Sequence, residues 1–500
     1  MTNKRKVFFL ALEAASPDLL ARGMNEGWLP NLAALRERSS HGAIRSLRGV
    51  GANALWPSIY TGVDPSRHGR FYHSQLQDNG YHTGDASQFG VTRNTIWEEA
   101  SRAGRRVAVL DLPKAPASVE LNGIQVLDWS THYSYAAEFR TVPAALAKQL
   151  PGTYGEPEEC PCLDRRYLTS APPAAAEIID QLERTIIATQ NHLVGQLRTQ
   201  SWDFCMASLG ALHCAGHQLW HLHDPSHPWF RQVEQAQGDP LLQVYRTIDH
   251  ACGAIIDELP EDTAVVILAG PGMGPNYVRV DLLDEILLRL EGGGASAAKG
   301  MNRALKRLWR LSPQSWRQRL SGLAHAMDGR LQASDRSRRR FFSVQTNDNV
   351  GGIRINLQGR EPDGLVASDA LDEACDELIA RIRSLHVVGS GESLVRDIFR
   401  TNTVYAGQYL AQLPDILIEW NQPGVITAIT SAHTGLIRQD RLPDLSGTHN
   451  DRLWCLIHLP GEQAGELAAD AGALDIAPTL AALCGLDELD LPGQPLVPLS

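Results

Sequence analysis

Apolar residues along this chain follow two rhythms, and their alternation predicts the architecture. "KVFFLAL" (6–12) is an unbroken apolar run, and the leucines of "SPDLLARGMNEGWLPNLAALRERS" (16–39) recur at helical spacing. "RRVAVLDLP" (105–113) follows the helical "NTIWEEASRAG" (94–104). "WDFCMASLG" (202–210), "AVVILAGPG" (264–272) and "PDILIEWN" (414–421) are further apolar runs, each ending near a glycine or polar turn. Strands apolar throughout need cover on both faces. Helices interleaved with them therefore predict an α/β chain with a mostly parallel sheet between helical layers. Sites in such folds form where loops leave the carboxyl ends of strands. Glu13, His213 and "GPGMGPN" (270–276) follow strand ends, whereas His449 lies in the loop before the strand-like "LWCLIHL" (453–459).

Residues 293–345 interrupt this alternation with twelve Lys/Arg against two Asp, and "RALKRLWRL" (303–311) has amphipathic helical spacing. They read as a basic helical insert or cap between two parts of one α/β core, 1–292 and 346–500. Such an insert is either a solvated cap or a docking surface for an anionic partner, such as an acidic carrier protein, a lipid headgroup or a charged substrate.

Five hundred residues can bury one large core or two to three ordinary ones. The net charge of −11 argues against a general nucleic-acid binder, because neutralising phosphates needs a basic surface. No apolar run approaches the roughly 20 residues that span a bilayer. The N-terminal "VFFLAL" is short and meets Glu13 where a signal peptide needs a small-residue cleavage site, so it reads as a buried first strand. Eight cysteines form no framework of spacings, "ECPCLD" (159–164) holding the one close pair. They read as reduced thiols of a cytoplasmic protein.

The candidate chemistry is concentrated in "LGALHCAGHQLWHLHDPSHPWF" (209–230), with five histidines from His213 to His227. On a helix, His213 and His217 share a face, and His221 continues it. His221 and Asp224 are candidates for supporting a nearby site, or else for closing the helix and solvating its turn; His227, before Pro228, reads as a turn residue. Arg354 and Arg360 in "GGIRINLQGREPDG" (351–364) either bind an anion or pair internally with Glu361 or another acid.

Several segments together resemble the type I phosphodiesterase/nucleotide pyrophosphatase family, in its bacterial predicted-phosphohydrolase branch. They are the opening strand and helix, "GVGANALWPSIYTGVDPSRHGRFY" (49–72), "NVGGIRINLQGREPDG" (349–364), "DILIEW" (415–420), "GTHNDRLWCLI" (447–457) and "DIAPTLAALCGL" (475–486), in family order. The resemblance spans residue 7 to about 497, apart from the basic insert, and implies the alkaline phosphatase superfamily fold. It also implies two metal ions. One takes a first-strand aspartate, a Ser/Thr nucleophile and an Asp-His pair; the other takes an Asp and a His four residues apart plus a closing His. Such ions clamp the attacking and leaving sides of the reaction.

Carried over residue by residue, the resemblance fits unevenly. The first-strand aspartate is Glu13, the nucleophile position is Ala52, and the Asp-His pair becomes Gly270 and Pro271. The second set becomes His213, His217 and His449, three imidazoles that suit one zinc with an open fourth position. Glu13 then reads as the acid/base, or as a remnant ligand or helix N-terminal charge. Asn53 reads as an oxyanion donor or a helix N-cap, and Ser58 as a distant substitute nucleophile. The functional expectation is a metal-dependent hydrolase with one zinc, in which activated water attacks an ester, thioester or phosphoester of a small-molecule or carrier-bound substrate. The alternatives are a two-metal phosphodiesterase or phosphatase, its second ion held by other residues, and a non-catalytic relative.

Overall fold

The computed structural model describes residues 5–72, 74–77, 80–85, 90–129, 140–150, 172–230, 238–277, 282–292, 332–344, 346, 349–439, 445–486 and 489–498. They form two compact units, one of residues 1–70, 90–276 and 444–500, the other of residues 71–89 and 277–443.

The first unit is built on an eight-stranded sheet with the first strand, Val7–Glu13, near its middle. Across the sheet the strands run Ser40–Arg45, Arg452–His458, Ala264–Gly270, Val7–Glu13, Phe204–Leu209, Val107–Leu110, Gly123–Leu127 and Arg140–Val142. The five from Ala264–Gly270 to Gly123–Leu127 are mutually parallel, and antiparallel strands flank them. The apolar runs are unbroken because both faces are covered. Phe8, Leu10 and Leu12 enter one core with the helices Ala211–His223 and Pro240–Ile256, while Val7, Phe9 and Ala11 enter another with Ala52–Thr61 and Ile476–Leu483. Each such side chain, fully buried, contributes on the order of 2 kcal/mol.

The second unit has its own core around a four-stranded antiparallel sheet, ordered Phe341–Val344, Val350–Ile355, Ile416–Trp420 and Val395–Arg400. "DILIEW" thus belongs to this antiparallel sheet rather than to the parallel one. Ile416–Trp420 is buried at every position, so its alternation carries no sign of strand direction. Of the basic stretch, residues 293–331 lie outside the described residues, and Phe341–Val344 is an edge strand of the sheet. The pair Cys160 and Cys162 also lies outside them.

The all-thiol expectation is corrected at Cys214, which is disulfide-bonded; Cys205, Cys252, Cys375, Cys455 and Cys484 are free and buried. Spacing alone cannot assign such a pairing. Cys214 therefore removes the premise on which the cytoplasmic expectation rested. Among the described residues no helix is long and apolar enough to cross a membrane.

Candidate metal centre

Just past the carboxyl end of Phe204–Leu209 the chain turns at Gly210 into the helix Ala211–His223, whose first three turns are buried. The four-residue spacing puts His213 and His217 on one face, with their Nε2 atoms 3.2 Å apart. His449 ends the short strand Gly447–His449, which pairs antiparallel with Met273–Pro275 so that His449 lies opposite Met273. Its ring stacks on His213 with centroids 4.8 Å apart. One ring nitrogen from each histidine lies within 4.8 Å of the others.

Backbone carbonyls orient two of these rings. His217 Nδ1–H donates to the Gly447 carbonyl at 2.8 Å, which leaves Nε2 as the lone-pair atom facing His213. His449 Nδ1 points at the Pro271 carbonyl at 3.4 Å. Burial pushes the His449 imidazole down to about 4, so the ring is neutral at pH 7, the state in which imidazole ligates a metal. Tetrahedral zinc with Zn–N near 2.0–2.1 Å separates its nitrogens by about 3.3 Å. The His213–His217 pair already has that spacing, and the His449 nitrogen lies within 4.8 Å of both, a donor set that could hold one ion.

Close backbone packing holds helix and strand together. A Cβ on Gly447 would lie 2.2 Å from the Gly216 carbonyl oxygen, and one on Gly216 would lie 2.7 Å from Met273 Cγ. The Ser446 N–H and hydroxyl both donate to the His217 carbonyl, at 2.9 and 3.0 Å.

Glu13 ends the first strand and is 2% exposed, and its Oε2 has no hydrogen-bond partner among the described residues. Burial raises its carboxyl to about 7; the Lys114 ammonium pulls it down and Asp111 pushes it up. Register places Gly270 directly across from it. Lys114 also acts electrostatically on His449. Sequence reasoning passed over Lys114 and Asp111. Their signal was the position of "DLPK", just past the carboxyl end of a strand.

Asn53 occupies the second position of the helix Ala52–Thr61 and is buried. The N-cap is Gly51, so the capping alternative for Asn53 does not hold: the helix starts two residues earlier than that reading needs. Ser58 is unsuited to nucleophilic attack. Arg70 N–H donates to His68 Nδ1 at 3.1 Å, so the proton of this ring is on Nε2 and points at Ser58 Oγ, 2.9 Å away. Ser58 in turn donates to the Ala54 carbonyl at 2.8 Å. Burial lowers His68 to about 3, and its only basic nitrogen faces away from the serine.

Around the helix end, Asp224, His223 and His227 have partners of their own. Asp224 accepts from the Ser226 N–H and hydroxyl at 2.9 and 2.7 Å, closing a turn. His223 bonds Asp239 at 2.6 Å, and His227 accepts from the Trp229 N–H at 3.1 Å. His221 is buried on the same helix, 6.2 Å from His227 between ring centroids. In the second unit, Arg354 is paired with Glu361 at 2.7 Å, and Arg360 forms a bidentate pair with Asp415 at 2.7 Å for each contact. Both guanidinium groups are thus engaged internally.

This fold defines a class, the α/β hydrolases of the alkaline phosphatase superfamily. The profile of the type I phosphodiesterase/nucleotide pyrophosphatase family matches residues 7–450, and the chain belongs to that family. Among solved structures it is similar to phosphonoacetate hydrolase from Sinorhizobium meliloti 1021, bound to phosphonoacetate, with 13% identity, a TM-score of 0.55 and 96% of each chain covered. Murine ectonucleotide pyrophosphatase/phosphodiesterase 5 is also similar, with 12% identity, a TM-score of 0.50 and 98% of each chain covered. At these identities the likeness concerns the fold. No curated protein matches the chain.

The donor positions of a second family ion do not fit one here. Ala52 and Gly270 have no donor side chain, Pro271 has none either, and Glu13 is the one carboxylate. Among the described residues His213, His217 and His449 form the one cluster of potential ligands.

Proposed function

We propose that this family member is a single-zinc hydrolase whose ion is held by His213, His217 and His449, acting on an ester, thioester or phosphoester of a small or carrier-bound molecule. The observation that carries the reading is the convergence of three buried imidazoles, one of them with its tautomer fixed by a backbone carbonyl. A bound zinc supplies a Lewis acid and an acidified water at its open position. Glu13, raised to about 7, suits proton transfer near neutral pH. Asn53, buried in the first turn of its helix, is the hydrogen-bond donor to developing negative charge in this reading. Asp224 is engaged with Ser226 in its own turn and His223 with Asp239, so neither is given a role in this reading.

Metal content tests this reading. Purified protein is expected to hold one zinc per chain, lost in His213→Ala and in His449→Ala along with hydrolysis of a panel of p-nitrophenyl carboxylic and phosphate esters. Two ions per chain would make it a two-metal phosphodiesterase, and none a non-catalytic relative.

A further inference from the structure

Among the described residues, four that are not glycine have positive φ: Ala14 at 61°, Asp111 at 59°, Lys114 at 57° and Asp128 at 62°. All four follow the carboxyl ends of three parallel strands, Val7–Glu13, Val107–Leu110 and Gly123–Leu127. Side-chain-bearing residues avoid this region, and they persist there only where the surroundings over-determine them. The turn from Asp111 to Lys114 is held in this way. The Asp111 N–H donates to the Val126 carbonyl at 2.9 Å, and its carboxylate accepts the Trp129 N–H at 2.8 Å. The Ser208 hydroxyl bonds the Asp111 carbonyl, and the Tyr60 hydroxyl donates to the Pro113 carbonyl at 2.9 Å. Tyr60 lies on the helix that also carries Asn53. A turn pinned at so many points fixes the root of Lys114, a half-buried cation, at the sheet edge that carries Glu13.

We propose that Lys114 is a further catalytic residue: its ammonium contacts an anionic oxygen of the substrate, providing a second positive charge beside the histidine centre. The neighbours of Glu13 leave that charge to a side chain. Gly270 sits across from Glu13 on one flank, and on the other the chain passes through Gly210. Neither brings a ligand for a cation. Val107–Leu110, the strand before Lys114, pairs parallel with Phe204–Leu209, whose carboxyl end leads into the helix of His213 and His217, so Lys114 and the histidines follow neighbouring strands at one sheet edge, and Lys114 acts electrostatically on Glu13 there. A fixed cation in a partly dry cleft stabilises negative charge far better than one in water, and a pinned backbone leaves little to reorganise. The substrate class follows as an oxyanion-bearing ester, whether the oxyanion is a phosphoryl oxygen or a carboxylate next to the scissile bond.

The inference builds on the single-zinc reading, yet its test does not depend on the metal. Metal-stripped protein is titrated calorimetrically with inorganic phosphate, and separately with acetate to distinguish the two oxyanions. Lys114→Met is expected to weaken binding of the better anion at least fivefold, and Lys114→Arg to retain it within that factor. The Met variant should also shift the Glu13 titration upward, since it removes the charge that pulls that carboxyl down. Phosphate and acetate affinities that change less than fivefold in Lys114→Met, or that are immeasurable in the wild type, would overturn the proposal. The metal count in the preceding section stands or falls on its own. Failure of one reading is therefore distinguishable from failure of the other.

Discussion

At the scale of single residues, Glu13 carries the sharpest expectation. Its folded-state carboxyl titrates near 7, above the ordinary 4.5, with burial as the main cause. Its contribution to stability is therefore fully present below pH 4.5. Between 4.5 and 7 the unfolded chain has released the proton and the native protein still holds it, so stability falls as pH rises. Above the native value the loss is complete and the profile flattens. Relative to Glu13→Gln, the wild type should lose roughly 3 kcal/mol across that window, measured as urea midpoints in buffers from pH 4 to 9. Parallel profiles for the two proteins would remove Glu13 as the titrating group. Hydrolysis, if Glu13 is the base, rises through about pH 7 in the wild type and loses that limb in the variant. The residues themselves were unevenly legible. The four-residue spacing of His213 and His217 is a local signal, whereas His449 lies more than two hundred positions away and entered only through the resemblance. Lys114 has no periodicity to betray it; its one sequence signal is its place just past a strand end, and its positive φ, invisible in sequence, is what sets it apart. Asn53 was readable as polar and early in a helix, but its cap alternative depended on a boundary that patterns fix only to a residue or two.

At the scale of elements, the site depends on how the helix Ala211–His223 meets the strand Gly447–His449. Gly216 weakens the helix by about 1 kcal/mol relative to alanine, and the close approach to Met273 and to Gly447 explains why it is there. Gly447→Ala puts a methyl 2.2 Å from a backbone oxygen, a contact that no rotamer relieves, so the strand must move away from the helix. His217 then loses the carbonyl that orients its ring, and His449 moves with the strand. Zinc affinity is expected to fall at least tenfold, read by competition with a chromogenic chelator, while far-ultraviolet circular dichroism stays that of the wild type. Unchanged affinity would show that the ring positions do not depend on this packing. Element type was mostly legible in the sequence, because burial on two faces leaves unbroken apolar runs. Sheet membership was not. "VFFLALE" and "ILIEW" are both buried throughout, yet one is central in a parallel sheet and the other lies in an antiparallel sheet of a separate unit. Such pairings are set by long-range contacts, which no local pattern encodes.

At the scale of the molecule, the histidine centre ties the middle of the chain to its last sixty residues, and each unit has a core of its own. A ligand that binds only the native state stabilises it by RT ln(1 + [L]/Kd), about 4 kcal/mol at a thousandfold excess over Kd. Chelation should therefore lower the melting temperature by several degrees in the wild type and leave His213→Ala unaffected, which differential scanning calorimetry with and without EDTA can decide. The loss should also be local. On chelation, hydrogen exchange is expected to rise across 211–223 and 445–449, where the ligands and their backbone partners lie, and to stay constant across the helix Leu371–Arg383 of the second unit. A melting temperature that falls equally in wild type and His213→Ala would mean that EDTA acts elsewhere, and exchange rising uniformly over both units would mean that the centre is not a local tie. Faster exchange confined to those two segments would make the ion part of the fold as well as of the chemistry, because the same carbonyls that aim the rings also bind helix to strand.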